Sequence, residues 1–260
     1  MSFLPSPTWN EKTRLSLERL IAEGAGKSHA VVFDFDNTIV CGDIGEATLA
    51  VMTRDRILEK ESIPAVLCPD FIGADGSTTS LRECEDITAY YESLLASSGH
   101  QKDPNPLSSG YVWAVEIMQG LSVPEVLAAT ETAMRESEPL QEKRITVTEG
   151  KTSYPIPFFY PEIIELLNAL IDHEFEVWVI SATNVWTVRW MVKNRLNPLL
   201  RGKGIALDKV FGVSTLLQDE QKYLYKDHLL IRTRPDYAAL EEGAISGLRL
   251  TAKINFPVPT

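Results

Sequence analysis

The chain has 260 residues, 44% of them hydrophobic, enough to bury one large core or a core with a smaller insert. Its formal net charge of −11 argues against nucleic acid or an anionic membrane surface as a partner. No run approaches the roughly 18 apolar residues of a spanning helix. The start, Met1 to Pro7, lacks the basic-then-apolar pattern of a secretory signal. Cys41, Cys68 and Cys84 are odd in number and have no metal-like spacing, so they read as reduced thiols of a cytoplasmic protein.

In chain order, residues 8–24 carry Leu17, Leu20 and Ile21 at helical spacing and predict a short helix. Ala30-Val31-Val32-Phe33 is an apolar run that predicts a buried parallel strand. It ends in Asp34-Phe35-Asp36-Asn37-Thr38, at the carboxyl end of a strand, where open α/β sheets place their ligands. Aspartates at i and i+2 point the same way along a strand. Both carboxylates can therefore converge on one ion or one reacting atom, or they simply decorate a strand end. Acids this close repel unless a cation or proton stabilises them, which suggests a magnesium site.

Ile44 to Lys60 has helical character, and Pro64 to Thr79 is punctuated by proline and glycine like a loop. Leu81 to Ser98 and Gly110 to Gly120 predict helices separated by Asp103-Pro104-Asn105-Pro106. Ser122-Val123-Pro124-Glu125 is a capping-box pattern that starts another helix, running to about Glu136. From Pro161, Ile163, Ile164, Leu167, Leu170 and Ile171 form an amphipathic face. The strand 175–181 follows, then a helix over 184–197, a third strand from Lys209 to Thr215, and a hairpin ending near Ile231. A mostly helical stretch thus interrupts an alternating strand–helix pattern, which implies an α/β fold with a Rossmann-like parallel sheet.

Asp34-Phe35-Asp36-Asn37-Thr38 resembles the first motif of the haloacid dehalogenase (HAD) superfamily, whose members are mostly phosphatases. Phe175 to Ile180 followed by Ser181-Ala182-Thr183 is similar to that superfamily's second motif. With Val210-Phe211-Gly212-Val213-Ser214, the chain most resembles the phosphoserine and phosphorylcholine phosphatase branch over residues 28–44 and 155–217. The resemblance implies a HAD core of residues 1–44 and 153–260, with a helical cap domain, 45–152, inserted after the first strand. It implies a magnesium-dependent phosphomonoester hydrolase acting on a small phosphorylated metabolite.

By the same resemblance Asp34 is the nucleophile that forms an aspartyl-phosphate, and Asp36 is the general acid and then the base. Magnesium is held by an Asp34 oxygen and the Asp36 backbone carbonyl. Thr38 orients Asp36 or is a plain turn hydroxyl. Ser181, Ala182 and Thr183 bind phosphate at a helix N-terminus, or Ser181 is an ordinary N-cap. Asp43 stands where the branch places a glutamate that contacts the substrate's amino group, favouring a cationic head such as phosphoserine, phosphoethanolamine or phosphocholine. Glu46 could share that task, and both residues equally suit a solvated helix start. Tyr90, Tyr91 and Trp113 form either a cation–π wall or ordinary packing; His29, His100, His173 and His228 show no ligand spacing.

Two elements of the family pattern are not found. One is a lysine that neutralises the phosphate, for which Lys226 and Lys253 are weak candidates. The other is an acidic Gly-Asp-x-x-x-Asp motif on a fourth strand, and the tail from Ala252 reads as a chain stopping short of it. The alternative is therefore a catalytically impaired relative that binds a phosphate ligand or a partner protein. Without a fourth strand, Val31-Val32-Phe33 becomes an exposed edge that invites aggregation or pairing with another chain: either the chain is a truncated form, or a partner or a rearranged C-terminal segment covers that edge.

Overall fold

A computed structural model describes residues 2–73, 75–98, 110–135 and 143–255. The predicted linker Asp103 to Pro106 and the last residues of the tail lie outside them. The centre is a parallel sheet of three strands in the order β1 (Ala30–Phe33), β8 (Glu176–Asn184), β9 (Val210–Val213). The first helix, α1 (Glu11–Gly24), is capped by Asn10, whose side chain accepts from the Thr13 amide. Helices α6 (Pro161–Asp172) and α7 (Val185–Met191) pack against β8 and β9. The chain is thus a mixed α/β protein built on a parallel sheet.

The predicted β1 is in place residue for residue, but it is not buried. It has β8 on one side and, among the described residues, no strand on the other. Alternation along the strands buries Val177 and Val179 and leaves Val32 58% and Ile180 53% exposed. The exposed face also carries Trp178, which stacks on Phe211 with ring centroids 5.9 Å apart, and Lys209, whose Nζ lies 5.5 Å from the Trp178 ring.

Between β2 (Val40–Cys41) and its antiparallel partner β7 (Phe158–Phe159) the chain makes a long excursion. It holds the helices α2 (Ile44–Arg54), α3 (Ile87–Ser98), α4 (Gly110–Glu116) and α5 (Val123–Met134). The capping box expected at Ser122 is formed with Glu125. The excursion is less helical than the sequence implied. It contains the short pair β3 (Phe71–Ile72) and β4 (Thr78–Thr79), and a hairpin of β5 (Arg144–Thr148) and β6 (Thr152–Pro155). The expected domain boundary at 152/153 falls inside that hairpin. Its strands are held by Asp86, which accepts from Thr148 (2.5 Å) and Thr152 (2.6 Å) across more than sixty residues, a contact no local pattern announces.

The C-terminal third also differs. The hairpin of β10 (Thr215–Gln218) and β11 (Leu224–Tyr225) ends before 231, and α8 (Asp227–Thr233), α9 (Pro235–Ala238) and α10 (Glu242–Ile245) follow. The tail then forms β12 (Arg249–Ile254), antiparallel to β10. Its described residues do not pair with β1. On its other side β12 meets the excursion: the Gly120 amide donates to Leu250 O (2.8 Å) and the Leu250 amide to Leu121 O (2.8 Å). A buried ion pair anchors α8 to α7, with Arg189 donating to both oxygens of Asp227 at 2.6 and 2.9 Å. Tyr237 donates to Asp227 Oδ1 (2.7 Å) and accepts from Trp186 Nε1 (2.9 Å). One hydrophobic interior runs from Ile21 and Phe35 through Tyr90 and Trp186 to Leu250. No helix among the described residues is long and apolar enough to cross a membrane.

Candidate active site

The chain leaves β1 through a tight loop that determines where the two aspartates point. Asn37 sits at φ 55°, in the left-handed region that asparagine tolerates better than most residues. Its amide donates to Gly42 O (2.9 Å), and its Oδ1 accepts from the Gly42 amide (3.1 Å). This closed loop turns Asp36 inward and leaves Asp34 exposed at the strand end.

Asp36 is gripped from three sides. Its Oδ1 accepts from the Ile44 amide, in the first turn of α2, at 2.8 Å. Its Oδ2 accepts from Ser181 Oγ and Thr183 Oγ1, both at 2.9 Å. Burial raises the Asp36 carboxyl above the usual range; these three hydrogen bonds oppose the rise and the Asp34 charge adds to it. Asp34 Oδ2 accepts from Thr38 Oγ1 at 3.1 Å. Thr38 thus orients Asp34, where the sequence expectation was Asp36.

The serine–threonine segment is also placed differently. Ser181, Ala182 and Thr183 lie in β8, and the helix after them is capped by Asn184, which accepts from the Thr187 amide (2.8 Å). Ser181 is neither an N-cap nor a free hydroxyl: it binds Asp36 and accepts from the Thr183 amide (3.0 Å). Two glycines permit this approach. A Cβ at Gly45 would stand 2.5 Å from Thr183 Oγ1, and one at Gly212 would stand 2.5 Å from Thr183 O.

Asp43 caps α2, accepting from the Glu46 amide at 2.9 Å. It is no solvated helix-start acid. With Glu46, Tyr91, Tyr111, Met118 and Thr183 it lines a small pocket of about 20 Å³. Burial, with the charges of Asp36 and Glu46 beside it, pushes the Asp43 carboxyl up to about 8. Burial likewise raises Glu46, against a hydrogen bond from Tyr91 Oη (3.3 Å).

Of the expected aromatic wall only Tyr91 reaches this pocket. Tyr90 donates to Pro69 O (2.7 Å) and Trp113 Nε1 to Leu67 O (2.6 Å), and their rings pack 5.0 Å apart inside the excursion. Tyr111 was missed, since one tyrosine at the start of a helix carries no sequence signal. Gly45 and Asn37 were missed too, although a glycine and an asparagine flanking the acidic motif were a legible cue.

Among the described residues no lysine or arginine is ion-paired with Asp34 or Asp36. Lys226 precedes α8 and Lys253 lies in β12. No group of three His, Cys, Asp or Glu among the described residues is arranged to hold a metal. Among the described residues, Asp34 Oδ1 accepts no hydrogen bond, whereas both oxygens of Asp36 are engaged. That donor set fits a magnesium ion sharing its octahedron with a phosphate and waters, and falls short of an all-protein cage.

No protein-family profile matches the chain, and no curated protein matches it. Among solved structures it is similar to a conserved protein of unknown function from Anaerococcus prevotii. That match has 16% identity and a TM-score of 0.56, over 86% of this chain and 73% of that one. At this identity the likeness concerns the fold alone.

Proposed function

We propose that the chain is a magnesium-dependent phosphomonoester hydrolase of the HAD type, working through an aspartyl-phosphate, with the excursion between β2 and β7 serving as its cap. The observation that carries this reading is the division between two neighbouring carboxylates. Asp34 is exposed and has an oxygen free to attack; Asp36 is held in place and biased toward its protonated form. Such a pair, with environments pushed apart, is what acid–base chemistry at one centre requires.

In this reaction an Asp34 oxygen attacks phosphorus while the ester P–O bond breaks, and the leaving oxygen takes the proton of Asp36. A water then attacks the aspartyl-phosphate, Asp36 recovers a proton from it, and Asp34 and inorganic phosphate are released. The Asp34 carboxylate and the Asp36 main-chain carbonyl would hold a magnesium ion, which would neutralise charge on the phosphate oxygens. Ser181 engages phosphate only by giving up its bond to Asp36. Asp43 and Glu46, side by side in that pocket, favour a substrate with a cationic head such as phosphoserine, phosphoethanolamine or phosphocholine.

The test is hydrolysis of an aryl phosphate, with and without magnesium, by the native chain and Asp34→Asn. Turnover that disappears on omitting the metal and in Asp34→Asn supports the proposal. Trapping with beryllium fluoride that leaves Asp34 unmodified in folded, magnesium-loaded protein overturns it. The absence, among the described residues, of any cation paired with the two aspartates favours a second reading: a phosphate-binding relative without turnover. Phosphate binding by calorimetry with no hydrolysis of any ester would select it.

A further inference from the structure

The open flank of the sheet has the features of a self-complementary interface, independent of the chemistry above. The Glu176 amide donates to His29 O (2.9 Å), so by the alternation of a parallel ladder the N–H and C=O groups of Ala30 and Val32 point away from β8. Nothing among the described strands receives them. Ala30 to Phe33 carries no lysine, proline or bulge, the devices that normally protect an edge. Beside it runs a groove of about 550 Å³, walled by Ser16, Arg19, Leu20 and Glu23 of α1 and ending on Phe175. Leu20 is 49% and Leu15 53% exposed, although α1 is otherwise packed on the core through Ile21.

Charge decides the occupant. The amino end of β1 carries the exposed Lys27, and its carboxyl end carries the exposed Asp34. An antiparallel pairing of two such strands sets the cationic end of each against the acidic end of the other, whereas a parallel pairing sets like against like. We propose that the chain forms a two-fold dimer through antiparallel pairing of β1 with β1 of a second copy. The pairing is centred on Val32, with α1 of each copy packing across the axis. In this register Val32 faces Val32 and Ala30 faces Asp34, and the three-stranded sheets join into one of six strands. An isologous contact of this kind closes on itself and does not propagate into fibres.

The experiment is sedimentation equilibrium of the full chain over a range of concentrations and salt, with amide hydrogen exchange on the same samples. A dimer is expected, weakening as salt screens the strand ends. The Ala30 and Val32 amides should become protected as concentration rises. Val32→Lys places two ammonium groups face to face at the axis and should weaken association tenfold or more. Ala30→Lys, opposite Asp34, should preserve it. Leu20→Glu, which leaves the sheet untouched, should also weaken association and serves if Val32→Lys fails to fold by circular dichroism. A chain that stays monomeric at every concentration overturns the proposal. So does a dimer in which those amides stay unprotected, or one that Val32→Lys and Leu20→Glu, both folded, leave as tight as the native chain.

Discussion

The two flanks of the central sheet are finished in opposite ways. On the β9 side the chain continues into α8, α9 and β12, locked by the Arg189–Asp227 pair and by a strand that bonds both β10 and the excursion. On the β1 side no described strand continues the ladder, and its outermost valine is more than half exposed. The comparison shows where a sheet stores its stability. The closed flank holds desolvated charges whose partners cannot be removed cheaply; the open flank holds apolar surface already in contact with water.

Mutations should separate the two, the greatest effect coming from the closed flank. Asp227→Asn leaves Arg189 buried beside a neutral partner and should cost about 3–5 kcal/mol in urea unfolding. A loss under about 1 kcal/mol would mean that water reaches this pair. Leu250→Ala empties a fully packed position in β12 and should cost about 2–5 kcal/mol. The loss should appear as a single transition if the excursion and the core unfold together.

Asp43, at the strand ends between the flanks, gives a pH test. In the fold its carboxyl stays protonated up to about pH 8, against a reference value of 3.8. The folded state therefore binds the extra proton, and stability from this group is lost as pH rises from about 4 to about 8. Asp43→Asn keeps a good cap and should remove that decline. In metal-free protein it should raise stability above pH 8 by on the order of 2 kcal/mol. Parallel pH profiles for the two proteins would refute the assignment. The smallest effect belongs to the uncovered face: Ile180→Thr should change stability by no more than about 0.5 kcal/mol, read by thermal unfolding.

What the sequence made legible was local. The β1 run, the capping box at Ser122 and the amphipathic face of α6 are patterns within a few turns, and each element stands where its pattern put it. The α/β class and the parallel strands followed from the same reading. The β5–β6 hairpin and β12 were not legible, because their pairing depends on partners such as Asp86 and Leu217 far along the chain. At the site, the positions Asp34, Asp36, Ser181 and Thr183 were legible and are brought together. The direction of their hydroxyls was not. Thr38 serves Asp34, and Ser181 with Thr183 serves Asp36, because the Asn37–Gly42 loop sets the rotation of each carboxylate. Asp43 was legible as an acid near the site, but the pocket around it depends on Tyr111 and Met118, which arrive from α4 and the turn after it.

The backbone bonds between Leu250 and residues 120–121 bear on how the protein is made. On the ribosome the stretch at 120–121 emerges long before its mate, so the nascent excursion waits with these hydrogen-bonding groups solvated until β12 is synthesised. Contacts so distant along the chain form slowly. The docking of β12 should therefore come late in maturation, and a protease added during translation should find residues 120–121 accessible until it docks.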